Sequence, residues 1–290
     1  MSFIVPYGAG SLSDNDTRVL SKLVEKYLPN EQKVKIENVE GGGGILGMTK
    51  LMNSAPDGYT IGYGSVVHTS VLPHLEDVAF THDSFQPIMK NTVGIPLLLV
   101  REDSPWDTFE DLKKYAKENP GKFTYSTTGP GSISNLNMVA VTSSQGIEAT
   151  NIAYEGGAQG VTALLGGHID GAIVMPKDAM EHVEAGTLKV LFDFRIDESE
   201  YDTATTLKDL GLEPGIEAYS MIYAPKGIPD EELTILSEAL KKAQEDPEYL
   251  EYLEVTNQGH DYLDPEESQE EATRTFKLAE ELLKEIGLIE

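Results

Sequence analysis

The chain has 290 residues, of which 22 are basic and 49 acidic, giving a formal charge of −27. This charge excludes a nucleic-acid partner, because phosphate binding requires a positive surface. The absence of cysteine excludes thiol catalysis, disulfides and cysteine-ligated metals, and no apolar run approaches the ~20 residues of a membrane span. We therefore expect a well-packed globular protein whose length suits two domains. Its acidity is explained either by solubility or by export into a salty or alkaline habitat.

One unit recurs along the chain: a short β-rich run, a glycine-rich turn and an amphipathic helix. The predicted strands lie at residues 3–5, 34–38, 59–63, 97–100, 123–126, 152–154, 169–174, 188–192 and 221–224. Apolar residues at helical spacing, such as Leu20, Leu23 and Val24, predict a helix after the first turn. Ser13 and Asp16 fit a capping box at its start. The chain is predicted to be helical from Asp230 onward.

Alternating strands and helices predict largely parallel α/β sheets. Two such series, followed by a helical tail, indicate two lobes. We predict lobe 1 at residues 1–100 plus 224–290 and lobe 2 at residues 101–223. The chain would cross near residues 100–103 and 219–224, and the C-terminal helices would pack back on lobe 1.

Four glycine-rich loops lie where such sheets bind ligands, beyond the carboxyl ends of strands. They span residues 8–13, 41–44, 127–132 and 155–157, the last including Gly157. Each precedes a helix whose unpaired N–H groups and positive dipole end favour an anion. The alternative is that their Ser and Gly residues are ordinary caps and turns. These loops contain no Lys or Arg, and Arg18, one helical turn further on, is expected in a structural ion pair.

Hydroxyl groups that could donate to a carboxylate cluster at these loops. They belong to Ser11, Ser13, Thr127, Thr128, Ser132, and to Tyr7 and Tyr154 just ahead of a turn. His68 follows a strand end and either points into a cleft or is structural. Met175 ends a strand and either lines a pocket or belongs to the core.

Four common catalytic and cofactor-binding motifs are incomplete or absent in the sequence. The sequence lacks the lysine of a P-loop, a GxGxxG turn after the first strand, an HExxH pair and a GxSxG elbow. We therefore predict no enzyme activity, no metal and no cofactor.

Segments along nearly the whole chain resemble, in order, the substrate-binding proteins of tripartite tricarboxylate transporters, the TctC or Bug family. They include IVPYGAGSLSDNDTR at 4–18, IENVEGGGGILG at 36–47, PDGYTIGYGS at 56–65, DSPWDTFEDLKKYAKENPGKFTYSTTGPGS at 103–132 and YEGGAQGVTALLGGHIDGAI at 154–173. The resemblance implies a two-lobed periplasmic-binding-protein fold with a small carboxylate in the cleft between the lobes. The departures from the family pattern include Ser11, where Gly-Gly is usual, and Asn135, where His is common.

Carried over position by position, the resemblance implies two sets of ligand-binding residues. The first set is Tyr7, Gly10, Ser11, Ser13 and Ser65, and the second is Thr127, Thr128, Gly131, Ser132 and Tyr154. Asp14 matches the family Asp and is expected to bind ligand or to cap the helix.

The implied function is an extracytoplasmic solute-binding protein that captures a tri-, di- or aromatic carboxylate by cleft closure. It would deliver this ligand to the membrane subunits of a tripartite transporter. The alternatives are a ligand-binding partner of a sensor system and an enzyme using an anionic cofactor. An amino acid would also fit, but its ammonium group would need an acidic partner.

A monomer in the periplasm, or outside the cell at the membrane, is expected. The start Met1-Ser2-Phe3 lacks the features of a signal peptide, so we expect either a cytosolic protein or a mature form with an added Met.

Overall fold

A computed structural model of the chain describes residues 1–202, 204–256 and 258–290. The chain divides into two units: unit 1 comprises residues 1–93, 218–280 and 289, and unit 2 comprises residues 94–217, 281–288 and 290. Each unit contains a six-stranded sheet among the described residues. The predicted lobe boundaries near residues 100 and 224 fall inside strands, because an apolar run marks a strand but not the sheet that it joins.

The strands of unit 1 are β1 (Ser2–Val5), β2 (Lys35–Asn38), β3 (Thr60–Ser65), β4 (Phe85–Gly94), β11 (Ala218–Pro225) and β12 (Gly259–Leu263). Those of unit 2 are β5 (Leu97–Arg101), β6 (Thr124–Thr127), β7 (Thr150–Ala153), β8 (Gly171–Val174), β9 (Leu188–Asp193) and β10 (Thr205–Thr206). The order is β12-β4-β11-β3-β1-β2 in unit 1 and β10-β9-β5-β8-β6-β7 in unit 2.

Both sheets contain a parallel part. In unit 1, β1 runs parallel to β2 and β3, and in unit 2, β6 runs parallel to β7 and β8. The prediction of largely parallel sheets is wrong elsewhere, since β11 is antiparallel to β3, β12 to β4, and β5 to both β8 and β9. An apolar run predicts burial on both faces, but it does not predict strand direction.

The helices are α1 (Leu12–Val24), α2 (Ile45–Met52), α3 (Leu72–Leu75), α4 (Phe109–Glu118), α5 (Ile133–Gln145), α6 (Gly157–Leu165), α7 (Met180–Glu184), α8 (Asp230–Gln244), α9 (Pro247–Val255) and α10 (Pro265–Glu285). Strand β12 separates α9 from α10, so the prediction of an entirely helical C-terminal region is wrong. Of the described helices, none is both long and apolar enough to cross a membrane.

The apolar stripe of α1 forms part of the core of unit 1. Leu20 and Leu23 are fully buried in one cluster with Leu236 and Leu240 of α8 and Tyr249 of α9. Burying a leucine side chain stabilises a fold by roughly 1.5–3 kcal/mol. The C-terminal helices α8 and α9 therefore stabilise the same core that positions the start of α1.

Strand β4 was not predicted, because polar residues interrupt its apolar pattern. Asn91 is fully buried and donates through Nδ2 to Asp16 Oδ2 of α1 at 2.9 Å. The Tyr249 hydroxyl lies 2.5 Å from Asp16 Oδ1 and 3.0 Å from Asn91 Oδ1. Burial raises the pKa of Asp16 to about 7, although both hydrogen bonds act to lower it. Asp16 is thus a core residue, and its predicted role in a capping box is wrong.

Candidate functional site

The first set of loops lies at one edge of the unit 1 sheet, where the parallel strands β1, β2 and β3 end. Gly10, in the loop after β1, has φ +83° and donates its N–H to Asp14 Oδ2 at 2.8 Å. Ser11 caps α1, because its Oγ accepts the N–H of Asp14 at 3.2 Å. The helix therefore begins at Leu12, two residues earlier than the Ser13 capping box predicts.

Asp14 fixes the conformation of this loop by hydrogen bonds and is nearly fully buried. It also accepts hydrogen bonds from Arg18 Nε at 2.9 Å and Asn38 Nδ2 at 2.8 Å. Burial alone would raise the pKa of Asp14, but the bonds from Arg18, Gly10 and Asn38 together lower it below its usual value. Asp14 is therefore an ionised carboxylate that orders the first loop. The structural ion pair predicted for Arg18 is confirmed.

Some donors of the first loop remain available for a ligand. The hydroxyl of Ser13 interacts with the buried hydroxyl of Tyr63, and the N–H of Gly10 is used by Asp14. The Ser11 hydroxyl keeps its own proton to donate, and the N–H groups of Leu12 and Ser13 belong to the first helical turn, where no intrahelical acceptor exists. These three donors can bind one carboxylate.

Tyr7 lies two residues after the end of β1, with its hydroxyl 3.3 Å from Ser65 Oγ of β3. Its ring contacts the rings of Tyr63 and His68, with centroids 6.3 and 5.3 Å apart. Burial raises the pKa of Tyr7, and the hydrogen bond with Ser65 opposes this shift. Tyr7 is therefore a neutral hydroxyl donor, and the structure brings it together with Ser65.

His68 lies in a π-helical turn, Val67–Val71, and is fully buried. Its Nδ1 accepts the N–H of Ser65 at 3.1 Å, so Nε2 carries the proton and donates to the Gly43 carbonyl at 3.1 Å. Burial lowers the pKa of His68 to about 4. Both ring nitrogens are used within the protein, so the geometry favours the structural alternative for His68. The ring ties the end of β3 to the glycine loop 41–44.

The second set of loops lies where β6, β7 and β8 end in unit 2. Thr127 is buried, and its hydroxyl lies 2.9 Å from Asn151 Oδ1 while accepting the N–H of Gly129. Ser132 caps α5 by accepting the N–H of Asn135, and its hydroxyl donates to the Gly129 carbonyl at 2.7 Å. Both hydroxyls are therefore engaged in holding the loop.

Thr128 differs from its neighbours in this loop, because it is exposed. Gly131 is half-buried beside it, and the N–H groups of Ile133 and Ser134 form the first turn of α5. The donors that face outward from this loop are thus the Thr128 hydroxyl and the N–H groups at the start of α5.

Three more predicted residues follow β7 and β8. Tyr154 is half-buried and donates its N–H to the Thr127 carbonyl at 2.9 Å. Gly157 is the first residue of α6. Met175 is half-buried directly after β8. All three lie at the strand ends of unit 2, together with the loop 127–132.

A protein-family model described as the tripartite tricarboxylate transporter family receptor, TctC, matches residues 17–289. The chain belongs to this family. The resemblance noted in the sequence is therefore confirmed, and TctC proteins are solute-binding receptors.

Curated relatives of this TctC protein include UPF0065 proteins of Bordetella pertussis and Cupriavidus necator, both 32% identical. The first match covers 86% of this chain and 78% of the relative, and the second covers 98% and 86%. Among solved structures, a ligand-free TctC solute-binding protein from Polaromonas is 26% identical with a TM-score of 0.91, covering 98% of both chains. The two-lobed periplasmic-binding-protein fold is thereby confirmed.

Two further solved structures share the fold. MatC from Rhodopseudomonas palustris with bound malate has a TM-score of 0.68 and 22% identity, covering 96% of this chain and 98% of its own. Another R. palustris protein, with adipate, has a TM-score of 0.75 and 20% identity, covering 99% and 96%.

Sequence reasoning missed the structural roles of two residues in these TctC loops. Asn38, at the end of β2, donates to both Asp14 and the Tyr7 carbonyl. Asn135 donates to the Pro130 carbonyl at 2.7 Å and accepts the Tyr125 hydroxyl at 2.9 Å. Asn38 ends a predicted strand and Asn135 lies three residues after the capping serine, which are the positions where such side chains reach loop backbone.

Replacing Gly44 with alanine is expected to destabilise unit 1 by about 2–4 kcal/mol. Gly44 has φ +100°, and a Cβ there would overlap the ring of His68. Gly43 has φ +63° with open space around it, so Gly43→Ala carries the backbone strain without the clash. Urea unfolding of the two variants measures the difference, and equal losses would show that His68 does not pack against this loop.

Proposed function

We propose that this TctC protein captures a small carboxylate by cleft closure and that neutral donors at the helix starts bind it. It then delivers the ligand, outside the cytoplasm, to the membrane subunits of a tripartite transporter. The observation that carries the proposal is the same arrangement in each unit. A serine caps the first helix beyond the parallel strands, Ser11 for α1 and Ser132 for α5, and the N–H groups of that helical turn are left to bind an anion.

The donors at these two helix ends are themselves neutral. Asp14 already pairs Arg18, and burial keeps His68 uncharged at neutral pH. An anion would therefore be stabilised by N–H dipoles and hydroxyls, whose hydrogen bonds to a charged acceptor are worth roughly 1.5–3 kcal/mol each. The overall charge of −27 opposes this little, because salt screens charges more than ~10 Å away.

The class of ligand is supported by the relatives in fold. MatC binds malate and the second R. palustris protein binds adipate, and both ligands are small carboxylates. Hydrogen-bond donors at the strand ends of this chain suit the same chemistry. Transport as the purpose of binding is supported by the family, whose receptors serve tripartite tricarboxylate transporters.

A thermal-shift screen of carboxylates is expected to identify the ligand. A compound present at 100 times its Kd stabilises the folded state by about 2.7 kcal/mol, which raises Tm by roughly 5–11 °C for a unit of this size. Mono-, di-, tri- and aromatic carboxylates and amino acids form the panel, and nucleotides serve as the comparison. Stabilisation by a nucleotide and by none of the carboxylates would contradict the proposal and favour an enzyme.

A further inference from the structure

Asp178 is an acidic residue at the carboxyl ends of the unit 2 strands, where the second set of loops lies. It ends the short turn Pro176–Asp178 that follows β8, the strand beside β6. Its carboxylate fills the space that a Cβ on Gly157 would occupy. Because Gly157 is the first residue of α6, the carboxylate of Asp178 lies at the N-terminus of that helix.

The carboxylate of Asp178 is partly desolvated without a charge partner. Burial raises its pKa, and neighbouring Lys177 lowers it by a smaller amount. Throughout the described part of the chain, no hydrogen bond or ion pair to this carboxylate is formed, and Gly156 caps α6 without a side-chain bond. The start of α6 therefore already holds an anion of the protein, so a ligand carboxylate is better placed at the start of α5.

Unit 1 has a similar feature. The carboxylate of Glu40, after β2, lies 2.8 Å from the position that a Cβ on Gly8 would take. An acidic group thus lies beside a glycine of a ligand loop in each unit. A ligand carboxylate placed beside either acid would bring like charges together.

We propose that Asp178 determines specificity by accepting an ammonium group of the ligand, so that the receptor selects amino acids over carboxylic acids of the same skeleton. This inference rests on the proposed function, in which the loop at 127–132 and the start of α5 bind the carboxylate. Asp178 follows the neighbouring strand β8, so a ligand whose carboxylate lies at α5 can present an α-ammonium group to it. A charge-assisted bond then compensates the partly desolvated carboxylate.

The test uses matched pairs: aspartate and succinate, glutamate and glutarate, leucine and 4-methylpentanoate, phenylalanine and 3-phenylpropionate. Calorimetric titration of the full chain is expected to show at least one amino acid binding about tenfold or more tighter than its deaminated partner. Asp178→Asn should reduce this ratio to near one. The control Glu148→Gln, an exposed acid before β7 at the opposite edge of the sheet, should keep the ratio.

The possible failures are distinguishable. If deaminated acids bind and amino acids do not, or if Asp178→Asn leaves the ratio unchanged, the inference is overturned while the proposed function stands. If no carboxylate of any kind binds, the proposed function itself is overturned.

A second variant changes Gly157, which lies beside the Asp178 carboxylate. Gly157→Ala introduces a methyl group into the space of the Asp178 carboxylate and should displace it. Gly157 is helical and not in the left-handed region, so alanine suits its backbone and should not lower Tm. The amino acid preference should fall in this variant also, and a retained preference would overturn the inference.

Discussion

Replacing Thr128 with alanine is expected to weaken carboxylate binding roughly ten- to hundredfold while leaving Tm unchanged. The Thr128 side chain is exposed at the end of β6, so the folded state loses little when it is removed. A hydrogen bond to a charged ligand is worth roughly 1.5–3 kcal/mol, which corresponds to this loss of affinity. Calorimetric titration with the ligand from the screen measures it.

The adjacent residue provides the matched control. Thr127→Ala removes the same atoms, but its buried hydroxyl bonds Asn151 and Gly129 inside the loop. We expect this variant to lower the unfolding free energy by about 1–3 kcal/mol. Ser11→Ala should both weaken binding and cost about 1 kcal/mol, because Ser11 also caps α1. Unchanged affinity in the Ser11→Ala, Thr128→Ala double variant would contradict the placement of the ligand.

Replacing Asp16 with asparagine is expected to change the pH dependence of the unfolding free energy, and this is the second large effect. Burial raises the folded-state pKa of Asp16 to about 7, above an unfolded value near 3.9. The folded state therefore holds the proton more tightly, and stability from this group falls as pH rises from about 4 to about 7. The shift corresponds to about 4 kcal/mol. Asp16→Asn should match the native protein at pH 4 and exceed its stability at pH 8.

The hydrogen bonds explain why the neutral form suits this place. A protonated Asp16 can donate to the Tyr249 hydroxyl, Tyr249 can donate to Asn91 Oδ1, and Asn91 donates back to Asp16. Asparagine can complete the same ring. An ionised Asp16 competes with Asn91 for the single proton of Tyr249, which leaves one buried acceptor without a donor.

The buried His68 of the same unit has the opposite effect on the pH dependence of stability. Burial lowers its folded-state pKa to about 4, below an unfolded value near 6.5, so its contribution makes stability rise with pH between about 4 and 6.5. In the native protein the two effects largely cancel. Urea unfolding from pH 4 to 8 should therefore show a rise with pH in Asp16→Asn that the native protein lacks. Parallel curves would show that Asp16 titrates normally.

Much of the candidate site could be predicted from the sequence, because glycine-rich turns between a strand and a helix mark the carboxyl ends of parallel strands. The loops around Gly10, Gly43 and Gly131 all lie where this pattern placed them. Strand β4 could not be found in this way. Lys90 and Asn91 are buried in it, and their polarity conceals a core strand whose partners, such as Asp16, are distant in sequence.

The orientation of individual hydroxyls was also beyond the sequence. Thr127 and Thr128 are identical in type and adjacent, yet Thr127 is the buried last residue of β6 and Thr128 is exposed in the loop that follows. Likewise, the sequence contains nothing that brings Asp178 to Gly157, because that contact depends on the pairing of β6 with β8. Local patterns thus locate the loops, whereas the sheet decides which side chains are available to a ligand.

We propose that the neutral donors at the starts of α1 and α5 bind carboxylate. A crystal structure of the protein with the ligand found in the screen tests it most directly. We expect carboxylate oxygens within about 3 Å of the Ser11 or Thr128 hydroxyl and of the N–H groups at the start of α1 or α5. A carboxylate bound away from these helix ends would contradict it.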